Sequence, residues 1–175
     1  MKNYLSKLHS WQLAIISGVL IGISFHQIYF GILVYIGFIP LLHSWFRNNP
    51  KNNLFSGYVF GVTYNLISNY WMATNSGAEF IVVLFSLIAA TLYLSIFWAF
   101  AGFIVGIYKN ISIKILIMPF LIVSLEWIRS FGPLGFAWGN LALTQMDMLH
   151  LLQFIDYGGT YIITFGIIFI NSTIY

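Results

Sequence analysis

Apolar residues in this chain come in long unbroken runs, separated by short clusters of Asn, Gly, Pro and Lys. Alternation with a period of 2 or 3.6 would mark half-buried soluble elements, whereas runs of about 18 apolar residues match the thickness of a bilayer. Read this way, the pattern predicts an all-α fold, a polytopic transmembrane helical bundle of about six spans. They fall at 11–25, 28–45, 54–73, 80–108, 111–130 and 151–175, with a loop at 131–149. The first run follows a short basic flank like a signal peptide, but no small-x-small cleavage site precedes His26, so it is read as an uncleaved span. Pro40 lies near the end of the second span, and residues 47–53 read as a polar turn. The third span closes in Tyr70-Trp71, an interfacial aromatic pair, and residues 74–79 form a short polar loop. The fourth is long enough to require tilt. A helix from Tyr157 to Tyr175 rises about 28 Å, barely a bilayer core, and no basic flank follows it. The expectation is therefore a C-terminal truncation, the chain being the front part of a longer protein.

Composition supports the membrane reading. The chain is 60% hydrophobic and 6% charged, against roughly a quarter charged in soluble domains. Charge position then sets orientation. With the N-terminus cytoplasmic, Lys2, Lys7, Arg47, Lys51, Lys109 and Lys114 fall inside, six of the 7 Lys and Arg residues, and only Arg129 lies outside. No run of four bases exists, so a nucleic-acid partner is not expected. The absence of cysteine removes disulfides, thiolate metal sites and a cysteine nucleophile together. Gly18-x-x-x-Gly22, Gly57-x-x-x-Gly61 and Gly102-x-x-x-Gly106 allow close helix approach, read as packing within one bundle rather than homodimerisation.

The densest chemistry is at 124–140. Here an apolar helix ends in Glu126 and Arg129 and passes into an aromatic loop broken by Pro133 and three glycines. Spaced i, i+3, the acid and the base share a helix face and can pair with each other. Alternatively Arg129 meets a lipid phosphate, whose geometry suits a guanidinium. Irregular backbone at membrane depth survives only inside protein or facing water. Trp127 and Trp138 read either as interfacial belt residues or as pocket walls for an acyl chain or headgroup. His9, His26, His43 and His150 sit at span ends without ligand spacing to carboxylates, so no metal is expected. Asp147 and Asp156 read as helix-dipole partners. From the residues alone no catalytic centre and no cofactor site can be assembled.

The order of Glu126-Trp127-Ile128-Arg129, Gly135-Phe136-Ala137-Trp138, Thr144-Gln145-Met146-Asp147 and Asp156-Tyr157-Gly158-Gly159-Thr160-Tyr161 resembles the membrane domain of bacterial apolipoprotein N-acyltransferase. Phe38-Ile39-Pro40-Leu41-Leu42 and Tyr70-Trp71 resemble its second and third spans. The resemblance implies a multi-pass protein of the bacterial cytoplasmic (inner) membrane. It further implies a nitrilase-like domain outside that membrane, whose Glu-Lys-Cys triad takes an acyl chain from a phospholipid donor as a thioester and passes it to the diacylglyceryl-cysteine of a lipoprotein acceptor. Ala137 stands where that family's turn has proline, and Leu143-Thr144-Gln145 stands where Tyr-Ser-Gln is common. None of the three catalytic residues maps onto this chain. Tyr70, Trp71, Glu126, Arg129 and Trp138 match the outer-face pattern and are the candidate residues bordering the entrance for membrane lipids. Two other classes stay open: a small transporter or channel, against which the placement of acids at span ends counts, and a non-catalytic membrane subunit.

Overall fold

The computed structural model describes residues 7–26, 28–74 and 76–175, and the regular structure among them is all helical, without a strand. Lys2, Gln27 and Asn75, which the sequence reading placed in the basic flank, at the end of the first run and in the 74–79 loop, lie outside the described residues. The order is α1 (Ser10–Ile23), a 3-10 turn (Ile28–Leu33), α2 (Val34–Gly37), α3 (Ile39–Arg47), α4 (Pro50–Ser68) and a second 3-10 turn (Tyr70–Thr74). Then follow α5 (Phe80–Ile107), α6 (Ile111–Arg129), a third 3-10 turn (Leu141–Gln145), α7 (Leu149–Leu152), α8 (Ile155–Gly158) and α9 (Thr160–Ile174).

Helix α4 is the hub, packed along α5 on one side and α1 on the other, while α9 packs on α6. Close approach explains the glycines. A Cβ on Gly57 would meet the backbone of Trp98 and Ala99, and one on Gly102 would meet the backbone of Asn53. One on Gly18 would stand 2.7 Å from the Thr63 Cβ. All three Gly-x-x-x-Gly pairs thus serve contacts inside the bundle, where small residues let helices associate without a hydrophobic driving force. Above the glycines, Phe38, Phe60, Tyr64 and Trp98 form a buried aromatic cluster, Phe60 edge-to-face on Trp98 at 4.7 Å.

Because α4 faces other helices rather than lipid, its buried side carries Asn53, Ser56, Asn65 and Ser68. Polarity there misled the reading of the third span. The helix starts at Pro50, with the Asn49 side chain accepting the Asn52 N–H at 2.9 Å, so the expected turn at 47–53 shrinks to Asn48 and Asn49. It ends at Ser68, short of the expected 73, and Tyr70–Thr74 is a separate 3-10 turn.

The second span differs as well. Pro40 does not close it; it opens α3 after a break at Gly37–Phe38. Freed N–H groups at this break are met from other spans. Phe38 donates to Asn171 Oδ1 on α9 at 3.1 Å, and Leu41 donates to Ser17 Oγ on α1 at 2.9 Å. The predicted sixth span, 151–175, is not one helix either. It bends by 113° at Gly159, whose φ of +64° suits only a residue without a Cβ.

Tyr29–Arg47, Phe80–Ile107 and Ile111–Arg129 are long and apolar enough to cross a membrane, and the bent pair Leu149–Gly158 with Thr160–Ile174 makes a fourth if it counts as one span. The 14 residues of α1 reach about 21 Å. With Phe80, Phe85, Leu92 and Phe100 of α5 exposed, the protein is an all-helical membrane protein.

Replacing Gly102 by Val is expected to lower the thermal midpoint of the purified chain in detergent by several degrees, since overpacking against backbone costs about 1–3 kcal/mol. Gly166→Val, where a Cβ meets nothing within 4 Å, serves as the control. Equal midpoints for the two variants would mean that α4 and α5 do not touch as described.

Candidate functional site

The last turn of α6 and the loop after it are built against each other. Proline and glycine stop the helix: Arg129 O accepts the Phe136 N–H at 2.9 Å, and Gly132 turns the chain with φ of +82°. The chain then re-enters the bundle at Gly139-Asn140-Leu141, where no helix can satisfy its backbone. Side chains of α4 and α6 do so instead, and α9 holds the Asn140 side chain.

The Gly139 carbonyl accepts from the Tyr64 hydroxyl of α4 and from Arg129 Nη2 of α6, each at 2.7 Å. The Leu141 N–H donates to Glu126 Oε1 at 2.8 Å. Asn140 caps the following 3-10 turn through Oδ1, which accepts the Ala142 N–H at 3.0 Å. The same oxygen accepts the Thr164 hydroxyl of α9 at 2.9 Å, while Asn140 Nδ2 donates to Thr160 Oγ1 at 3.1 Å. Further along, Gln145 Nε2 donates to Gly31 O at 3.0 Å, and the Tyr35 hydroxyl donates to Gln145 Oε1 at 3.1 Å. Charge-assisted bonds to backbone are the stronger kind. The node is therefore rigid and dry: Glu126 is 5% exposed, Arg129 3%, and Tyr64 and Thr164 are fully buried.

Glu126 and Arg129 do not bond each other, which corrects one of the two roles that the sequence allowed them. Each holds a different backbone group of the same loop. Their remaining atoms are turned elsewhere: Glu126 Oε2, Arg129 Nε and Trp98 Nε1 are buried without a hydrogen-bond partner. All three residues line a narrow seam between α5 and α6, with Phe97, Ile122 and Leu125. One turn further along α5, where residues four apart share a face, Leu94 belongs to a second, apolar groove. That groove, about 810 Å³, runs between Ala90 and Tyr93 on the helix and Pro133 and Phe136 on the loop.

The other candidates stand on the surface. Trp138, 66% exposed, meets Trp71 edge-to-face at 6.0 Å, so the loop and the Tyr70–Thr74 turn share one aromatic edge. Tyr70 points to His26, ring centres 4.9 Å apart, and His26 Nε2 donates to Ile67 O. The structure thus joins Trp71 with Trp138, joins Glu126 with Arg129 through the loop, and sets Tyr70 apart from both pairs. Tyr64 and Thr164 were not singled out from the sequence, and Asn140, Gln145 and Thr160 entered only within quoted stretches, without a role of their own. The available signal was a polar residue inside an apolar run, which these share with many residues of no consequence.

Residues 17–173 match the family described as apolipoprotein N-acyltransferase N-terminal domain. An apolipoprotein N-acyltransferase of Geobacter metallireducens is 32% identical over 168 residues, covering 93% of this chain and 32% of that protein. Those of Borreliella burgdorferi (26% identical, 83% of this chain, 27% of the relative) and Thermotoga maritima (25% identical, 93% and 34%) are similar over comparable stretches. The chain spans about a third of the length of the curated relatives it matches. A match over nearly the whole chain, the loop held by the buried acid and base included, establishes that this membrane protein belongs to the apolipoprotein N-acyltransferase N-terminal domain family.

Proposed function

We propose that the chain is the membrane part of an enzyme transferring an acyl chain from a phospholipid to the N-terminal diacylglyceryl-cysteine of lipoproteins. In this reading it lies in the bacterial cytoplasmic membrane as six spans with the N-terminus inside, and the loop at 131–149 faces outward. The Glu-Lys-Cys triad belongs to a nitrilase-like domain, in the same longer chain or in a separate one. There a cysteine thiolate attacks the donor ester, releasing a lysophospholipid, and the lipoprotein amine then takes the acyl group from the thioester.

One observation carries the proposal: the loop that Glu126 and Arg129 hold in place also walls an apolar groove against α5. Such a site receives an amphiphile. The apolar groove takes hydrocarbon, while Glu126 and Arg129 fix the loop that walls it. The Trp71–Trp138 edge suits the level of the headgroups. This half of the machinery supplies position rather than covalent chemistry, and holding two reactants in register is worth several kcal/mol in a two-substrate reaction.

Topology can be read directly, since the chain has no native cysteine. Phe136→Cys is expected to react with an impermeant maleimide in intact cells with opened outer membranes, and Lys109→Cys only after the cytoplasmic membrane is breached. Labelling in the reverse order would place the loop in the cytosol and end the proposal.

In the complete enzyme, Arg129→Ala leaves Glu126 buried without a nearby base and the Gly139 carbonyl with Tyr64 as its remaining side-chain donor, a loss of about 3–5 kcal/mol at the node. Lipoprotein N-acylation is expected to fall at least tenfold while the amount of inserted protein changes by less than twofold. Wild-type acylation kinetics for this variant in native membranes would remove Arg129 from the site.

A further inference from the structure

The end of the bundle away from the loop carries charge of one sign. Glu79, Glu126, Asp147 and Asp156 are all the acidic residues of the chain, and every one lies toward the end that holds Trp71 and Trp138. At the opposite end, α3 stops at Arg47, α4 starts at Pro50, and α5 turns into α6 through Tyr108, Lys109 and Asn110. Between these elements lies a crevice of about 910 Å³ lined by Arg47, Asn49, Pro50, Gly106, Lys109 and Lys114, three bases and no carboxylate.

Lys114 is what makes this a built site rather than a charged surface. It is 2% exposed, and its Nζ donates to Trp45 O and Phe46 O at 3.1 Å each, the last carbonyls of α3. An ammonium has three N–H donors, so one remains for whatever occupies the crevice. Arg47 is steadied by His43, with Nη1 3.0 Å from Nε2. Beside Lys109, the side chains of Ile107, Tyr108 and Ile111 are exposed on the faces of α5 and α6 that meet lipid. A positive crevice with apolar walls running into the bilayer fits a charged head with tails better than it fits a free ion.

We propose that this crevice binds the phosphate of an anionic lipid, with Lys114 and Lys109 as its direct partners and the acyl chains along Ile107 and Ile111. The inference requires only that the chain is embedded in a membrane, and it is independent of the acyl-transfer reading. If the N-terminus is cytoplasmic, the lipid belongs to the cytoplasmic leaflet.

The test uses the purified full chain in neutral detergent, with bound lipid read by native mass spectrometry and stability by the thermal midpoint. Phosphatidylglycerol in mixed micelles is expected to be retained at one per chain and to raise the midpoint by several degrees, with phosphatidylcholine doing neither. Lys109→Gln, an exposed position that carries no fold contact, is expected to cut retention at least fivefold, and Lys114→Met further. Lys51→Gln removes a base from the same end outside the crevice and is expected to change retention by less than twofold. Equal retention of phosphatidylcholine overturns the proposal. So does an equal loss with Lys51→Gln, which would show a diffuse positive field, or a full midpoint shift from inorganic phosphate at matched concentration, which would show a solute anion site.

Discussion

Hydrocarbon offers no hydrogen bonds, so each interruption of a helix within a membrane must be met by protein, at a cost of several kcal/mol for every group left bare. Four of the interruptions among the described residues are answered by side chains from another element. Asn171 and Ser17 answer the break before Pro40. Tyr64, Glu126 and Arg129 answer the loop at Gly139–Leu141, Gln145 answers Gly31, and Lys114 answers the end of α3. Apolar faces permit many arrangements of helices in lipid. It is these polar ties, each needing partners of correct reach, that select one.

That constraint also explains why the acid and the base of α6 sit where they do. Separately, each would be a costly buried charge. Together on one face they bring opposite fields to a single loop, the arginine meeting a carbonyl and the carboxylate meeting an N–H two residues on. A carbonyl carrying both Tyr64 and Arg129 is fully subscribed, so the loop has little freedom to shift against α4 or α6. The exposed Trp138 and Trp71 then ride on a fixed base.

Hydropathy located α5 and α6 to within a residue, at 80–108 against Phe80–Ile107 and 111–130 against Ile111–Arg129. These helices show broad faces to lipid, and their composition answers directly to the solvent. It misplaced α4, which is shielded by its neighbours and free to be polar, and it passed over the break at Gly37–Phe38 and the bend at Gly159. Glu126 and Arg129 stood out because ionisable residues are rare in such a chain. Tyr64 and Asn140 did not, since their meaning comes from partners: the Tyr64 hydroxyl bonds a carbonyl 75 residues away, and Asn140 reaches Thr160 and Thr164 on another helix. No local pattern encodes that. Sequence order alone, through the resemblance of its motifs, pointed to the family, because shared motifs preserve contacts that periodicity cannot express.

The two ends of the molecule therefore solve the same problem with different consequences. At the loop end, acid and base occur together and nearly all their bonding capacity is turned inward, leaving three orphaned atoms in a narrow seam. A neutral node of this kind selects by shape and hydrogen bonding, and it tolerates zwitterionic or uncharged amphiphiles equally. At the other end no carboxylate balances Arg47, Lys109 and Lys114, so selection there is by charge. A lipid that only passes through a site gains from the first arrangement, since strong electrostatic capture would slow its departure. One that stays bound gains from the second. On the two readings proposed above, the four acids, all toward the loop end, separate the site a lipid passes through from the one where it stays.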